Sequence, residues 1–338
     1  MTSTDAIEDR LDAAIDAHAG RSNLCGVIRI SRDGAPVFER AYGYASVQLA
    51  VPNRVDTRFH VASVTKSFIS AAVVRAVRDG RLALDDRPSR YVPEFAALDS
   101  RITLHQLLTH TSGLADVYRV PNVRIEMAAL NARGERLVDY LARLPPKSEP
   151  DSAWSYCTTG YLILGYVLQR IAGASFESLL HATLLDPLGL ADTGVDDPAR
   201  VNRGRASGHA VRDGHWRNAP NDPLADVDAP RELYSTAADL DRWASALTDG
   251  RVLDATGVEL TFTPHASIGA DSGFDPRLRY GYGWFLGRDF RWIGGITDGF
   301  RASLWQYPAE RLNAVMLWNS EAVNSYELFT ELRPILSG

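Results

Sequence analysis

Lysine is nearly absent from this chain: of 36 basic residues only Lys66 and Lys147 are lysine, and arginine supplies the rest. Cysteine is equally scarce, with Cys25 and Cys157 too few for a disulfide framework and in no metal-binding spacing. The eight histidines form no pair at ligand spacing, so neither a metal nor a cofactor is expected. No run approaches the roughly 18 apolar residues of a membrane span, and there is no internal repeat or low-complexity tract. A net charge of −6 argues against nucleic acid or an anionic membrane as partner. The N-terminus opens directly into an acidic amphipathic helix without the basic-then-apolar layout of a secretory signal, so a cytoplasmic location is expected. What is present, 338 residues with 45% apolar and 23% charged content, suits a soluble globular enzyme with a large core.

Lys66 stands three residues after Ser63 in the run His60 to Lys66 (HVASVTK). Arginine is effectively never deprotonated in a protein, whereas a buried lysine amine can become neutral and act as a base. The segment after Ser63 reads as a helix running to Gly80, apolar on nearly every side and therefore central. Residues three apart share a helix face, which sets the Ser63 hydroxyl beside the Lys66 amine in the first turn. The positive end of the helix dipole and the surrounding apolar atoms both disfavour the ammonium form, so a neutral Lys66 is expected. The free N–H groups of that turn suit a developing oxyanion. By itself the four-residue pattern fits equally a helix cap followed by a solvated charge.

Ser-x-x-Lys is also the first motif of penicillin-recognising serine enzymes. Together with Gly80 to Asp86 (GRLALDD), Ile102 to Leu114 (ITLHQLLTHTSGL), Asp186 to Leu190 (DPLGL) and Leu233 to Leu240 (LYSTAADL), it gives the chain a wider resemblance. From about Gly26 to about Asn319 the sequence resembles the broad family of class C β-lactamases, D-alanyl-D-alanine carboxypeptidases, family VIII carboxylesterases and related acyltransferases. The resemblance implies an α/β fold of the α+β type, β-lactamase/transpeptidase-like. Strand-like runs at both ends, with helices and long loops between them, independently suggest one antiparallel sheet assembled from the two termini, with an inserted helical subdomain. The expected strands are Gly26 to Ser31, Pro36 to Gly43, Tyr280 to Leu286, Phe300 to Tyr307 and Leu312 to Trp318. A closing helix is expected over Glu321 to Arg333, stopped by Pro334, and an extended surface loop from about Val195 to Pro230. Residues 1–62 and 276–338 would form the sheet unit and 63–275 the helical one, with the active site at their junction.

The same resemblance implies roles for individual residues. Tyr156 matches the tyrosine of the family's Tyr-x-Asn motif, a general base or proton shuttle beside the serine and lysine. Thr158 replaces that motif's asparagine and cannot present an amide's separate donor and acceptor. The third motif aligns with Ile293-Gly294-Gly295, where the usual cation is missing. The backbone N–H groups of Ser63 and Ile296 would form the oxyanion hole, which survives any side-chain change. Trp292 should point to the opposite face of its strand from Ile293, into packing unless a bulge at the glycines turns it inward. Substrate contacts are expected from Thr158, Ile293, Gly295, Thr297 and Arg301, with Arg301 a candidate replacement for the missing charge, and from Asp116 and Tyr118 on the opposite wall. Cys25 and Cys157 are expected to be packing residues, and His110 a buried tie for its loop. These implications describe a serine hydrolase that forms a covalent acyl-enzyme with a small ester, thioester or amide, an esterase or acyltransferase more than a β-lactamase. The alternatives are an inactive binding protein of the same fold, or a biosynthetic acyltransferase or D-amino-acid peptidase. Nothing in the sequence assigns an oligomeric state.

Overall fold

The computed structural model describes residues 3–19, 24–197, 199–224 and 229–337. A first helix, α1 (Ser3–Ala19), precedes a hairpin of β1 (Gly26–Arg32) and β2 (Ala35–Tyr42). Its turn is Asp33-Gly34, both at positive φ, the combination that matches the twist of paired strands. The helices α2 (Thr65–Arg78), α3 (Leu104–Thr109), α4 (Thr158–Ala172) and α5 (Ala237–Thr248) follow. The chain then returns as β3 (Ala266–Ser267), β4 (Arg279–Tyr280), β5 (Phe285–Leu286), β6 (Arg291–Thr297), β7 (Phe300–Tyr307) and β8 (Leu312–Trp318), and closes with α6 (Ser325–Ser337).

These eight strands form one antiparallel sheet in the order β3-β4-β5-β6-β7-β8-β1-β2. The pairing of β1 with β8, Gly26 opposite Trp318 and Arg32 opposite Leu312, joins the two chain ends as expected. Alternation along each strand divides the sheet's side chains between two apolar layers. Val27, Val315, Leu317, Leu304 and Ile293 enter the larger core with α2, α4 and α5. Ile28, Ile30, Met316 and Trp305 pack instead with Leu11 and Ile15 of α1 and Leu328, Phe329 and Leu332 of α6. Inside the larger core Phe68 of α2 stacks on Trp243 of α5 at 3.9 Å, and the indole N–H donates to Ser67 at 3.0 Å. Helix α2, which carries Lys66, is thereby fixed against both the sheet and its helical neighbours.

Three expectations need correction. Tyr280 to Leu286 is not one strand: the chain folds back at Gly281 and Gly283, making β4 and β5 neighbours. Gly283 has φ +79°, and a Cβ there would stand 2.7 Å from Ser70 Oγ and 3.0 Å from the Lys66 carbonyl oxygen, so this turn is pressed onto α2. The closing helix starts at Ser325 and continues through Pro334, because Leu332 and Leu336 on either side of it are both buried in the α1–α6 layer and hold the last turn in place. The loop expected over Val195 to Pro230 contains a hairpin, His209–Arg212 with His215–Asn218, turning on Asp213-Gly214. Residues 198 and 225–228 of that loop, and Met1 and Thr2 before α1, lie outside the described residues. No helix among the described residues is long and apolar enough to cross a membrane.

One glycine sets the distance between the sheet and α2. A Cβ at Gly295 of β6 would lie 2.2 Å from the Val61 carbonyl oxygen and 3.2 Å from Ala62 Cβ, so the strand touches the turn before α2 backbone to backbone. Gly295→Ala must push the two apart and is expected to cost about 1–3 kcal/mol, read as a lowered denaturant midpoint. An unchanged midpoint would mean that the contact is loose.

Candidate active site

Ser63 lies in a short 3-10 turn, Ala62–Val64, that runs directly into α2. Ala62 holds φ +47°, a left-handed conformation unfavourable for a residue with a side chain. The turn is clamped in place by the strand Leu233–Ser235: Val61 N–H donates to the Leu233 carbonyl at 2.9 Å, and Leu233 N–H donates to Thr65 Oγ1 at 2.9 Å. Lys66 is 2% exposed, and its Nζ donates to Ser63 Oγ at 2.9 Å and reaches Thr158 Oγ1 at 3.4 Å. The same nitrogen lies 5.1 Å from the ring centroid of Tyr156. The three residues expected to act together are brought together, and Thr158 touches the lysine rather than standing apart.

Lys66 does not meet the expectation of a neutral amine. Burial pulls its pKa down, but Tyr156, the Glu232 carboxylate and Asp116 outweigh that effect and hold it above the ordinary lysine value. The sequence reading counted the apolar atoms around the helix and missed the carboxylates that the fold delivers from elsewhere.

Tyr156 is held by aromatic neighbours: His110 at 4.4 Å, Phe274 at 5.9 Å, and Phe285 at 6.4 Å with ring planes 4° apart. Buried His110 ties its loop as expected, accepting from Cys157 N–H at 3.1 Å and pairing with the Tyr280 hydroxyl at 3.1 Å. Burial, and then the charge of Lys66, hold its imidazole well below the usual histidine value, so it stays neutral. Cys157 is buried and its thiol is pushed up to about 12, chiefly by burial and then by Asp116, which suits packing and not nucleophilic attack. Cys25 is buried likewise.

Ser63 opens on a cleft of about 820 Å³ lined by Tyr118, Tyr156, Thr158, Trp292, Gly295, Ile296, Thr297 and Arg301, among others. Only Arg291 and Trp292 of β6 are covered by β5. From Ile293 onward that edge of β6 is free, which leaves Ile296 at the mouth, 73% exposed, with its backbone available to the cleft. Two expected contacts fall elsewhere. Ile293 is 2% exposed and faces the larger core, because strand alternation puts it with Gly295 on the α2 side. Asp116 caps the turn Val117–Arg119 by accepting from Tyr118 N–H at 3.1 Å, and it borders a separate hollow behind Tyr156. Trp292 keeps regular register with Trp305 and no bulge, so it does point away from Ile293; its indole nevertheless walls the cleft's far end. Arg301 reaches the cleft, but one guanidinium nitrogen donates to the Thr297 and Phe300 carbonyls, each at 2.7 Å.

Sequence reasoning missed Glu232, Asp222 and His60. Glu232 and Asp222 line the cleft beside Thr158, and both also border a smaller cavity of about 90 Å³ with His60, Asp196 and Arg205. Asp222 accepts from the Tyr118 hydroxyl at 3.0 Å and from Thr297 Oγ1 at 3.4 Å, while Glu232 lies 3.4 Å from His60 Nε2. The only signal for Glu232 was its place immediately before the Leu233 to Leu240 stretch. Burial, reinforced by Asp222 against the pull of Lys66, pushes the Glu232 carboxyl up to about 8. An unfolded glutamate titrates near ~4.3. Between those values the folded state keeps a proton that the unfolded state has lost, so this group's contribution to stability falls as pH rises through the window. Glu232→Gln stays neutral throughout. Its Tm relative to the parent should therefore rise as pH is raised from about 5 to about 9, followed by scanning calorimetry across that range; a constant difference would refute the assignment.

Known proteins resemble this chain over most of its length. The family model described as Beta-lactamase matches residues 11–332. Penicillin-binding protein 4 of Amycolatopsis lactamdurans is 30% identical over 329 residues, covering 89% of this chain and 83% of that one. Esterase EstB of Burkholderia gladioli is 34% identical over 199 residues, 55% of this chain, and the match spans only 50% of the esterase's length. Among solved structures, EstCE1, titled a hydrolase with promiscuous acyltransferase activity, superposes with a TM-score of 0.83 at 21% identity over 100% of both chains. The matched span, the mixed helix-and-sheet fold and the serine–lysine pair at the head of α2 lead to one conclusion: the chain belongs to the beta-lactamase family.

Proposed function

We propose that this protein is a serine hydrolase that forms a covalent acyl-enzyme at Ser63, acting on esters or thioesters in preference to β-lactams. The observation that carries the proposal is the 2.9 Å contact from Lys66 Nζ to Ser63 Oγ, made by a buried amine beside Tyr156. Since Lys66 keeps its proton, the base is Tyr156 as a phenolate paired with the adjacent ammonium: its oxygen takes the serine proton and becomes the neutral phenol. Ser63 Oγ bonds to the substrate carbonyl carbon, and the oxyanion is met by the N–H groups of Ser63 and Ile296. Tyr156 then returns the proton to the leaving oxygen, sulfur or nitrogen as its bond to carbon breaks. Water, or an acceptor alcohol or amine, repeats the sequence on the acyl-enzyme.

The preference for esters rests on charge. Ile293 fills the place of the usual cation and is buried, and Arg301 is engaged with its own turn. The Asp222 carboxylate and the acid Glu232 stand on the cleft wall instead, and neither supplies a positive charge. A penicillin or a terminal D-alanine brings a carboxylate that finds no free partner there. An esterase and an acyl-transferring hydrolase among the relatives support the same choice.

Ser63→Ala should abolish both the turnover of p-nitrophenyl acetate and the mass increase left by a fluorophosphonate probe; a parent protein that takes no label would overturn the hydrolase reading. Benzylpenicillin should be opened with a kcat/KM at least about a hundredfold below that for the nitrophenyl ester, the scale of one lost charge-assisted contact. Comparable efficiency on the two would show that the exchange of a cation for Ile293 carries no selectivity.

A further inference from the structure

We infer that the far end of the cleft is a leaving-group subsite for an aromatic ring carrying a hydrogen-bond acceptor, so that esters of arylmethyl alcohols are the preferred substrate class. This rests on the acyl-enzyme reading above and adds the identity of the departing group.

The cleft crosses the free edge of β6. Gly295 faces the Ser63 turn and Gly294 faces the opposite side, where Trp292 Cζ2 lies 2.7 Å from the point a Cβ would occupy. With no side chain at 294, the indole lies directly over that backbone, and the cleft continues past it into a region walled by Tyr156, Phe274, Phe285, Trp292 and Tyr326. Their rings form a connected set: Phe274 to Phe285 at 4.7 Å, Phe285 to Trp292 at 5.0 Å and Trp292 to Tyr326 at 5.5 Å. Such a wall favours a planar ring over an aliphatic group of the same size.

Two polar groups on this wall have no partner. Trp292 Nε1 and Ser303 Oγ are both buried without a hydrogen bond, and Ser303, 1% exposed, stands opposite Gly294 in the strand register. A buried donor left unmatched is costly, and two of them on one wall suit a single acceptor on the ring that enters. The nearby charges are already engaged: Glu321 pairs with Arg212 at 2.6 Å and accepts from Gly299 N–H at 3.0 Å, and Arg301 is tied to its turn. The ring is assigned to the leaving group because Tyr156, which returns the proton to that group, is itself part of the aromatic wall. The acyl portion is left with the opposite end, beside Tyr118, Asp222 and Glu232.

The test compares three acetates on the full chain: benzyl, cyclohexylmethyl and pyridylmethyl. The expected order of kcat/KM is pyridylmethyl above benzyl, and benzyl above cyclohexylmethyl by about fivefold or more. Trp292→Leu should bring benzyl and cyclohexylmethyl level. Trp292→Phe should keep the benzyl preference while lowering the pyridyl-over-benzyl ratio, and Ser303→Ala should lower that ratio too. If the leucine variant fails to fold, the phenylalanine and alanine variants decide. A parent protein that labels at Ser63 with the fluorophosphonate yet treats the three esters alike, or turns over none of them, overturns the subsite. So does a ring preference that survives Trp292→Leu. No labelling at Ser63 overturns the hydrolase reading itself, which separates the two failures.

Discussion

The site depends on the backbone contact between β6 and the turn that precedes α2. Gly295 makes it possible, since any side chain there would occupy the space of the Val61 carbonyl. Ser63 and Ile296, from distant parts of the chain, then border the same cleft. The clamp of Leu233 on Val61 and Thr65 acts from the other side, so the nucleophile's turn is held between a strand edge and a short ladder. The unfavourable φ of Ala62 is tolerated because both neighbours fix it.

Electrostatics in the cleft follow from which elements converge there. Helix α2 supplies a buried ammonium, and the acidic side chains of Glu232 and Asp116 come to it from separate loops, with Asp222 acting in turn on Glu232. In a poorly solvated setting these groups fix one another's protonation: the amine keeps its proton more firmly, and Glu232 keeps one as well. A site built this way divides labour differently from one with a neutral lysine. In the proposed mechanism the ammonium orients the hydroxyl and balances charge, and Tyr156 moves the proton.

Much of the frame was legible in the sequence because it rests on local rules. Strand-like runs marked β1, β7 and β8, the Ser63 to Gly80 stretch read as a buried helix, the Ser-x-x-Lys spacing located Ser63 and Lys66, and the family resemblance pointed to Tyr156. What could not be read depended on contacts between distant segments. The protonation of Lys66 required knowing that Glu232 stands nearby, and the split of Tyr280 to Leu286 into two strands required the pressure of α2 on Gly283. The passage of α6 through Pro334 was decided by packing of Leu332 and Leu336 against a layer formed partly by α1. The resemblance aligned Ile293 with the motif; which face it takes follows from Gly295 having to meet the Ser63 turn.

The pairing of β1 with β8 has a consequence for how the molecule comes into being. The proposed nucleophile Ser63 and its proposed oxyanion partner Ile296 lie some two-thirds of this sequence apart, and the strand pair that joins the N-terminal hairpin to the rest sets Gly26 opposite Trp318. Until β8 arrives, β1 and β2 form an isolated hairpin with one unpaired edge, and β6 has no continuous sheet behind it. Such a topology has high contact order, so the contact between β6 and the Ser63 turn forms only once the long-range strand pairing is in place.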